Sequence, residues 1–448
     1  MQKQPEVSQA PRLRRVLSRA DLVIYGLTII TPTAAYPVFG ILQQMSQGHA
    51  ALSFLAAVIA MLLTALSYGR MAAAFPSAGS TYTYARRSLH DYAGFIAGWA
   101  MLLDYVLVPM LSAIYVTLTA ARLAPRVPHF VWALLFTAIV TVINLYGIQV
   151  TARASTLMTL VMSASAVLFV AFAIGAVPAG ESLFQLTALY NPATFSLPAL
   201  VASAAVATLS FLGFDAVSTL AEDTRDPEKD IGTATVLVCA IQTVFCVSIS
   251  YLAALVWPPS RPFPDVETAI LDVSTAIGGR PMFLFNTAVL LVAAVASSIT
   301  SQAGASRLLY GMGRDAILPR AFFGYLDPRR ATPTRSIYFM GALTFAGALF
   351  VSFQTAVELV SFGAFTSFIL VNLSVIRHYY FRLAERTGIA LLRNLVFPAG
   401  GVLVCTLVWL NLGDRAKMVG FAWLGLGAIY LAVVTRGFRV PVRQLEYS

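Results

Sequence analysis

Three acids stand where charge is most costly in this chain. Asp104 lies within Leu103-Asp104-Tyr105, Asp215 within Gly213-Phe214-Asp215-Ala216, and Glu222 follows Asp215 by two helical turns. At the middle of a membrane an ionised side chain costs about 2.5–3.5 kcal/mol on insertion scales. Of the three lysines, Lys3 and Lys229 fall outside the long apolar runs and Lys417 stands at the outer edge of the last, so none is at mid-span. An interior that is anionic or neutral but never positive suits a cationic solute, a coupling cation or a proton. Asp215, Ser218, Thr219 and Glu222 recur at i, i+3, i+4 and i+7, which places them on one helical face. Tyr105, Ser112, Tyr115 and Thr119 make a second polar stripe. Such hydroxyls either line a path or bond to a neighbouring helix.

Two of the apolar runs carry breaks. Thr31-Pro32-Thr33 is followed by Pro37 and Gly40, and each proline removes a helix donor. Gly213 precedes the acid at membrane depth in the other run. Discontinuous helices at matching places in two halves of a chain mark a transporter's binding site. Prolines also occur in continuous membrane helices, so the pattern alone leaves both readings open.

The elements that must carry these residues follow from composition. The chain is 58% hydrophobic and only 11% charged, whereas a soluble domain averages about 25% charged residues. That excludes an ordinary soluble protein and, despite a net charge of +10, a nucleic-acid-binding chain. A span needs about 20 apolar residues. Twelve are expected, at 21–44, 50–74, 92–121, 129–149, 155–178, 197–221, 233–257, 281–305, 334–353, 356–377, 395–411 and 416–435. With an inside N-terminus, the cytoplasmic segments hold 24 of the 30 Lys and Arg residues. The positive-inside rule then puts both termini in the cytoplasm. The first run is too long for a signal peptide, and no small-residue cleavage site follows it.

The expected organisation is an all-α membrane protein with broken first and sixth helices. A cytoplasmic tail, 1–20, leads to a five-helix repeat, 21–178, and an inverted five-helix repeat, 197–377. Two additional helices, 395–435, and a second cytoplasmic tail, 436–448, complete it. No separate soluble head interrupts the runs, which favours a transporter over a tethered enzyme. Cys239, Cys246 and Cys405 all lie in apolar runs, and no HExxH or clustered His/Cys/carboxylate set occurs. No metal, cofactor or catalytic set is therefore expected.

Longer motifs add a family likeness. Ser210-Phe211-Leu212-Gly213-Phe214-Asp215-Ala216-Val217-Ser218-Thr219-Leu220-Ala221-Glu222-Asp223 resembles the sixth-helix signature of the amino acid–polyamine–organocation superfamily. The block from Ser67-Tyr68-Gly69 to Tyr82-Thr83-Tyr84 is similar to its second-to-third-helix region. The run from Ser306-Arg307-Leu308 to Gly313-Arg314-Asp315 resembles the loop after its eighth helix. With Leu103-Asp104-Tyr105 and Ile30-Thr31-Pro32, the set is most similar to bacterial putrescine importers, from about residue 12 to about 436. The resemblance implies a leucine-transporter-type fold, alternating access and residence in the cytoplasmic (inner) membrane. It matches Tyr105 and Glu222 to substrate positions, and Thr31, Pro32, Thr33, Tyr36, Phe211, Gly213, Phe214 and Asp215 to the central cavity. Asp104 joins the substrate candidates.

Two departures pull in different directions. Putrescine importers carry an acid in the first-helix motif where this chain has Pro37. Amino acid members carry Gly-x-Gly at the first break, whose N–H groups hold a carboxylate. Here Thr-Pro-Thr lacks one of those N–H groups. The expected solute is an amine-bearing one, a polyamine first and an α-amino acid second. A membrane sensor is the remote alternative. The coupling ion is expected to be a proton, carried by Asp215 first, with Glu222 and Asp104 as further candidates. Ser297, Ser298, Thr300 and Ser301 are the hydroxyls that a sodium site would use instead.

Overall fold

The computed structural model describes residues 17–77, 80–146, 148–177, 182–221, 224–314, 318–327 and 332–435. The expected tails, 17–20 aside, fall outside them, as does Glu222. Every regular element among the described residues is helical. One isolated parallel bridge, Leu17 to Thr224, is the exception.

The helices are α1 (Arg19–Ile30), α2 (Phe39–Met45), α3 (Ala50–Ala74), α4 (Ser80–Ser88), α5 (Asp91–Leu123) and α6 (His129–Tyr146). Next come α7 (Ile148–Ala176), α8 (Leu186–Leu189), α9 (Leu197–Ala207), α10 (Pro227–Val256), α11 (Ala269–Arg314) and α12 (Arg320–Phe323). The chain closes with α13 (Thr334–Phe350), α14 (Phe353–Val375), α15 (Ile389–Leu391), α16 (Phe397–Leu410) and α17 (Asp414–Val434). Among the described residues, ten stretches are long and apolar enough to cross a membrane. The first and ninth expected spans are also helical but shorter. The first is divided into α1 and α2, and α13 has 17 residues. The expected start of the eighth span at 281 coincides with a kink. Gly278 and Gly279 leave helical geometry inside α11, and Pro281 follows.

Local chemistry explains where the first helix stops. Ser18 and Asp21 form a reciprocal capping box at the start of α1. At its end, the residue before a proline is pushed out of helical geometry. Thr31 takes the ψ expected before a proline, 120°, but with φ 64°, an uncommon conformation for a β-branched residue. The chain then turns through Pro37 before α2 begins.

The second break is built differently. After α9, Thr208–Phe211 winds as a 3-10 turn, Leu212 is extended and Gly213 has φ 110°. Phe214–Leu220 then resumes as a 3-10 helix. With three residues per turn rather than 3.6, Asp215 and Ser218 share a face but Thr219 rotates away. The expected i, i+4 alignment of Asp215 with Thr219 is therefore corrected. Thr219 Oγ1 donates to the Ala216 carbonyl (2.6 Å).

Close backbone approaches fix the surrounding frame. A Cβ on Gly69 of α3 would lie 2.6 Å from Gly232 Cα of α10. A Cβ on Gly363 of α14 would lie 2.6 Å from the Ala100 carbonyl oxygen of α5. The long helix α5 touches α4, α6, α11, α13, α14 and α17, and so runs through the centre of the molecule.

Candidate functional site

The two breaks meet in the middle of the fold. A Cβ on Gly213 would fall 2.4 Å from Ile29 Cγ2, and Ser210 Oγ donates to the Ala34 carbonyl (2.9 Å). From α10, Gln242 Nε2 donates to the Thr31 carbonyl (3.1 Å), which also accepts the Ala34 N–H of the turn (3.0 Å). Gln242 is fully buried. Sequence reasoning missed it, and its signal was a lone amide inside the apolar run of α10.

A cavity of about 800 Å³, its mouth included, lies against these breaks. Thr31, Thr33 and Pro37 line it from the first break, Ser210 from the second, and Ser112 and Tyr115 from α5. No charged side chain lines it. The polar stripe on α5 is thus realised in part as cavity wall. Ser297 lines the cavity too. Thr300 Oγ1 is spent on the Ala296 carbonyl (3.2 Å), and Ser298 Oγ is enclosed with no hydrogen-bond partner.

The acids lie one turn deeper. Asp104, Val108, Leu111, Ser112 and Tyr115 stand at i, i+4, i+7, i+8 and i+11 on α5, one continuous stripe. Asp104 therefore sits beneath the cavity floor formed by Val108. It is partly exposed, and its Oδ1 is enclosed with no hydrogen-bond partner. Asp215 is 4% exposed and faces the backbone N–H groups of Gly213 and of itself. The two carboxyls are close enough for the charge of one to act on the other. Tyr25 and Tyr68 feel the Asp215 charge as well, and Tyr68 also feels Tyr105. Among the described residues, neither acid forms an ion pair. Two such charges in a low-dielectric site must be met by a proton or by a cation from solution.

The remaining candidates separate into groups. Tyr105 packs against Gly304 of α11. Pro32 is buried. Tyr36 is buried against Phe169 (ring centroids 5.5 Å), pointing towards α7 rather than the cavity. Phe211 turns to Phe54 of α3 (6.5 Å). Phe214 packs with Tyr68 (5.6 Å) and Phe368 (5.2 Å). These three rings plug the fold below Asp215. Ser218 Oγ lies 2.7 Å from Ser80 Oγ, and Tyr68 Oη lies 2.7 Å from Thr81 Oγ1. Both bonds tie α4 to the plug.

The same end is tied further by the N-terminal segment. The Arg225 N–H donates to the Leu17 carbonyl (3.1 Å), and Arg19 pairs with Asp230 (2.8 Å). The cavity and this tied end lie on opposite sides of the two acids. That arrangement can hold a solute at the middle of the fold while one side is shut.

Comparison with known proteins agrees with this architecture. The family model described as amino acid permease matches residues 23–412. The low-affinity putrescine importer PlaP of Escherichia coli K12 is 32% identical over 97% of this chain and 96% of its own. The branched-chain amino acid permease BcaP of Bacillus subtilis is 25% identical over 95% and 94%. The methylthioribose transporter of the same species is 27% identical over 82% of each chain. The chain belongs to the amino acid permease family of the amino acid–polyamine–organocation superfamily, and is a multi-pass membrane transporter rather than an enzyme.

Proposed function

We propose that the protein imports a small amine-bearing solute, a polyamine such as putrescine first, by alternating access coupled to protons. The observation that carries this reading is that two acids within the apolar runs, Asp104 and Asp215, lie beside the cavity with no cationic side chain paired to either among the described residues. An ammonium group from the cavity supplies the missing counter-charge. The similarity to the Escherichia coli putrescine importer supports the same choice. The branched-chain permease supports the second reading, an amino acid permease of the same fold.

The wider organisation belongs to the same proposal. Twelve spans arise when the divided α1–α2 and the 17-residue α13 are added to the ten long ones. Two inverted five-helix repeats, 21–178 and 197–377, followed by the pair at 395–435, place α1 and α9 at matching positions. The Lys and Arg distribution supports cytoplasmic termini in the inner membrane. The site residues proposed are Thr31 and Thr33 on the cavity wall, and Asp104, Tyr105 and Asp215 beneath it. Glu222 joins them on the strength of the sequence resemblance alone.

A ligand-stabilisation screen on the purified transporter tests this reading. Polyamines and α-amino acids are compared at two pH values. Stabilisation by putrescine, absent with glutamate, is expected. Stabilisation by glutamate and not by any amine would overturn it.

A further inference from the structure

The connection between α14 and α16 is basic on its outer side and pinned on its inner side. From α14 the chain runs on into a π turn, Ile376–Arg382, and a second π turn, Leu392–Val396, leads into α16. The two turns touch each other. Arg377, Arg382, Arg386 and Arg393 all stand exposed along this connection, and its one acid is Glu385. Backbone bonds in a π turn join residues five apart, so Arg377 and Arg382 stand roughly one above the other.

The acid is turned away from these arginines. Arg70, in the last turns of α3, pairs with Glu385 (3.2 Å) and donates to Asn394 Oδ1 (2.7 Å). Asn394 Nδ2 donates in turn to Glu385 Oε2 (3.1 Å). Tyr379 Oη donates to the Arg70 carbonyl (3.0 Å), and the Arg70 guanidinium lies over the Tyr379 ring (3.8 Å). Arg386 folds back, its Nε donating to the Tyr380 carbonyl (3.1 Å). None of the four exposed arginines forms an ion pair among the described residues. Glu228 of α10, whose charge reaches Tyr379, pairs with none of them either. At other helix ends the guanidinium is matched within the chain: Arg19 by Asp230, Arg86 by Asp91 and Arg122 by Asp272.

A separate observation says where the missing anion comes from. Phe381, Leu383, Ile389, Leu392 and Val396 are exposed among the arginines, Phe381 by 54% and Ile389 by 63%. One apolar span ends at Arg382 and the next begins at Ile389. The connection therefore lies at the membrane surface, with its apolar side chains towards the acyl chains and its guanidiniums at the level of the headgroups. A guanidinium matches phosphate oxygens with a planar fork of donors. We propose that Arg377, Arg382 and Arg393 form a seat for the headgroup phosphate of an anionic phospholipid. The latch on Arg70 holds Glu385 on α3, where it does not neutralise the seat. This seat is independent of the solute reading above.

Lipid retention by the purified full-length transporter tests it, read by native mass spectrometry and by thermal unfolding in detergent. Phosphatidylglycerol and phosphatidylcholine are added at equal concentrations. Phosphatidylglycerol is expected to be retained in preference and to raise the unfolding temperature more. In Arg377→Gln/Arg382→Gln that preference is expected to fall roughly tenfold or more, the effect of two charges facing an anionic lipid. Arg393→Gln is an independent variant with a smaller expected loss, and serves alone where the double variant does not fold. Arg87→Gln/Arg320→Gln removes two other exposed arginines and is expected to keep the preference. Equal retention of both lipids by the parent, an unchanged preference in the seat variants, or an equal loss in the control would overturn the seat. Inorganic phosphate raising the unfolding temperature as much as phosphatidylglycerol would overturn the lipid as its occupant.

Discussion

Gly213 and Ile29 hold the two broken helices in contact: a Cβ on the glycine would fall 2.4 Å from Ile29 Cγ2. The same glycine has φ 110°, so a side chain there meets both backbone strain and a clash. Gly213→Ala is expected to destabilise the protein by about 2–5 kcal/mol, from roughly 1–2 for the left-handed backbone and 1–3 for overpacking. Thermal unfolding in detergent measures the loss. Adding Ile29→Ala removes the clashing methyl and is expected to recover part of the stability. A Gly213→Ala protein as stable as the parent would contradict this contact.

Gln242 is expected to act through the backbone of the first break rather than on the solute. Gln242→Leu removes one of the two donors to the Thr31 carbonyl, which keeps the Ala34 N–H, at a cost of about 0.5–1.5 kcal/mol for one hydrogen bond. A lowered unfolding temperature, with the order of affinities among amines unchanged, is the outcome to look for. A reordered set of affinities would make Gln242 a ligand-contacting residue instead.

The tie between Arg19 and Asp230 lies partly in solvent, with side-chain exposures of 50% and 16%. Pairs of that kind contribute about 0–1 kcal/mol, too little to matter for folding but enough to shift a two-state equilibrium by up to about fivefold. Asp230→Asn is expected to raise the rate at which a thiol probe modifies Ser218→Cys, because Ser218 is buried in this state. Unchanged reactivity would show that the ion pair does not hold this end closed.

Coupling is tested by separating the driving forces. An inside-negative potential gives about 2.3 kcal/mol per charge per 100 mV to any imported cation. A proton gradient acts in addition only if a group between the two ends loads and releases a proton. Uptake into proteoliposomes is expected to rise when the outside is made acid at fixed potential, and to ignore sodium. Sodium dependence without a pH response would reject proton coupling and direct attention to Ser297 and Ser298. A pH response surviving in Asp215→Asn would remove Asp215 from the relay.

Much of this architecture was legible because its causes are local. Pro32 bars Thr31 from helical geometry, and long apolar runs dictate spans. An acid in such a run, Asp104 or Asp215, is informative wherever the run ends up. Side-chain direction was not legible. Tyr36 and Phe211 occupy the breaks, as expected, yet both turn into helix contacts, because rotation at a break depends on packing rather than on sequence spacing. The 3-10 winding of Phe214–Leu220 likewise moved Thr219 off the face that a 3.6-residue period assigns it. Gln242 and Tyr68 come from other helices, and only the packing of α3 and α10 brings them to the breaks.

The most direct test is potential-driven uptake of labelled putrescine by proteoliposomes holding the parent protein or its Asp104→Asn/Asp215→Asn double variant. Both proteins are first shown to be monodisperse with similar unfolding temperatures. Losing both partners of a desolvated ammonium removes about 2–5 kcal/mol or more of binding, so saturable uptake is expected in the parent and is expected to vanish in the variant. Saturable uptake of equal affinity in both proteins would contradict a cation site at Asp104 and Asp215.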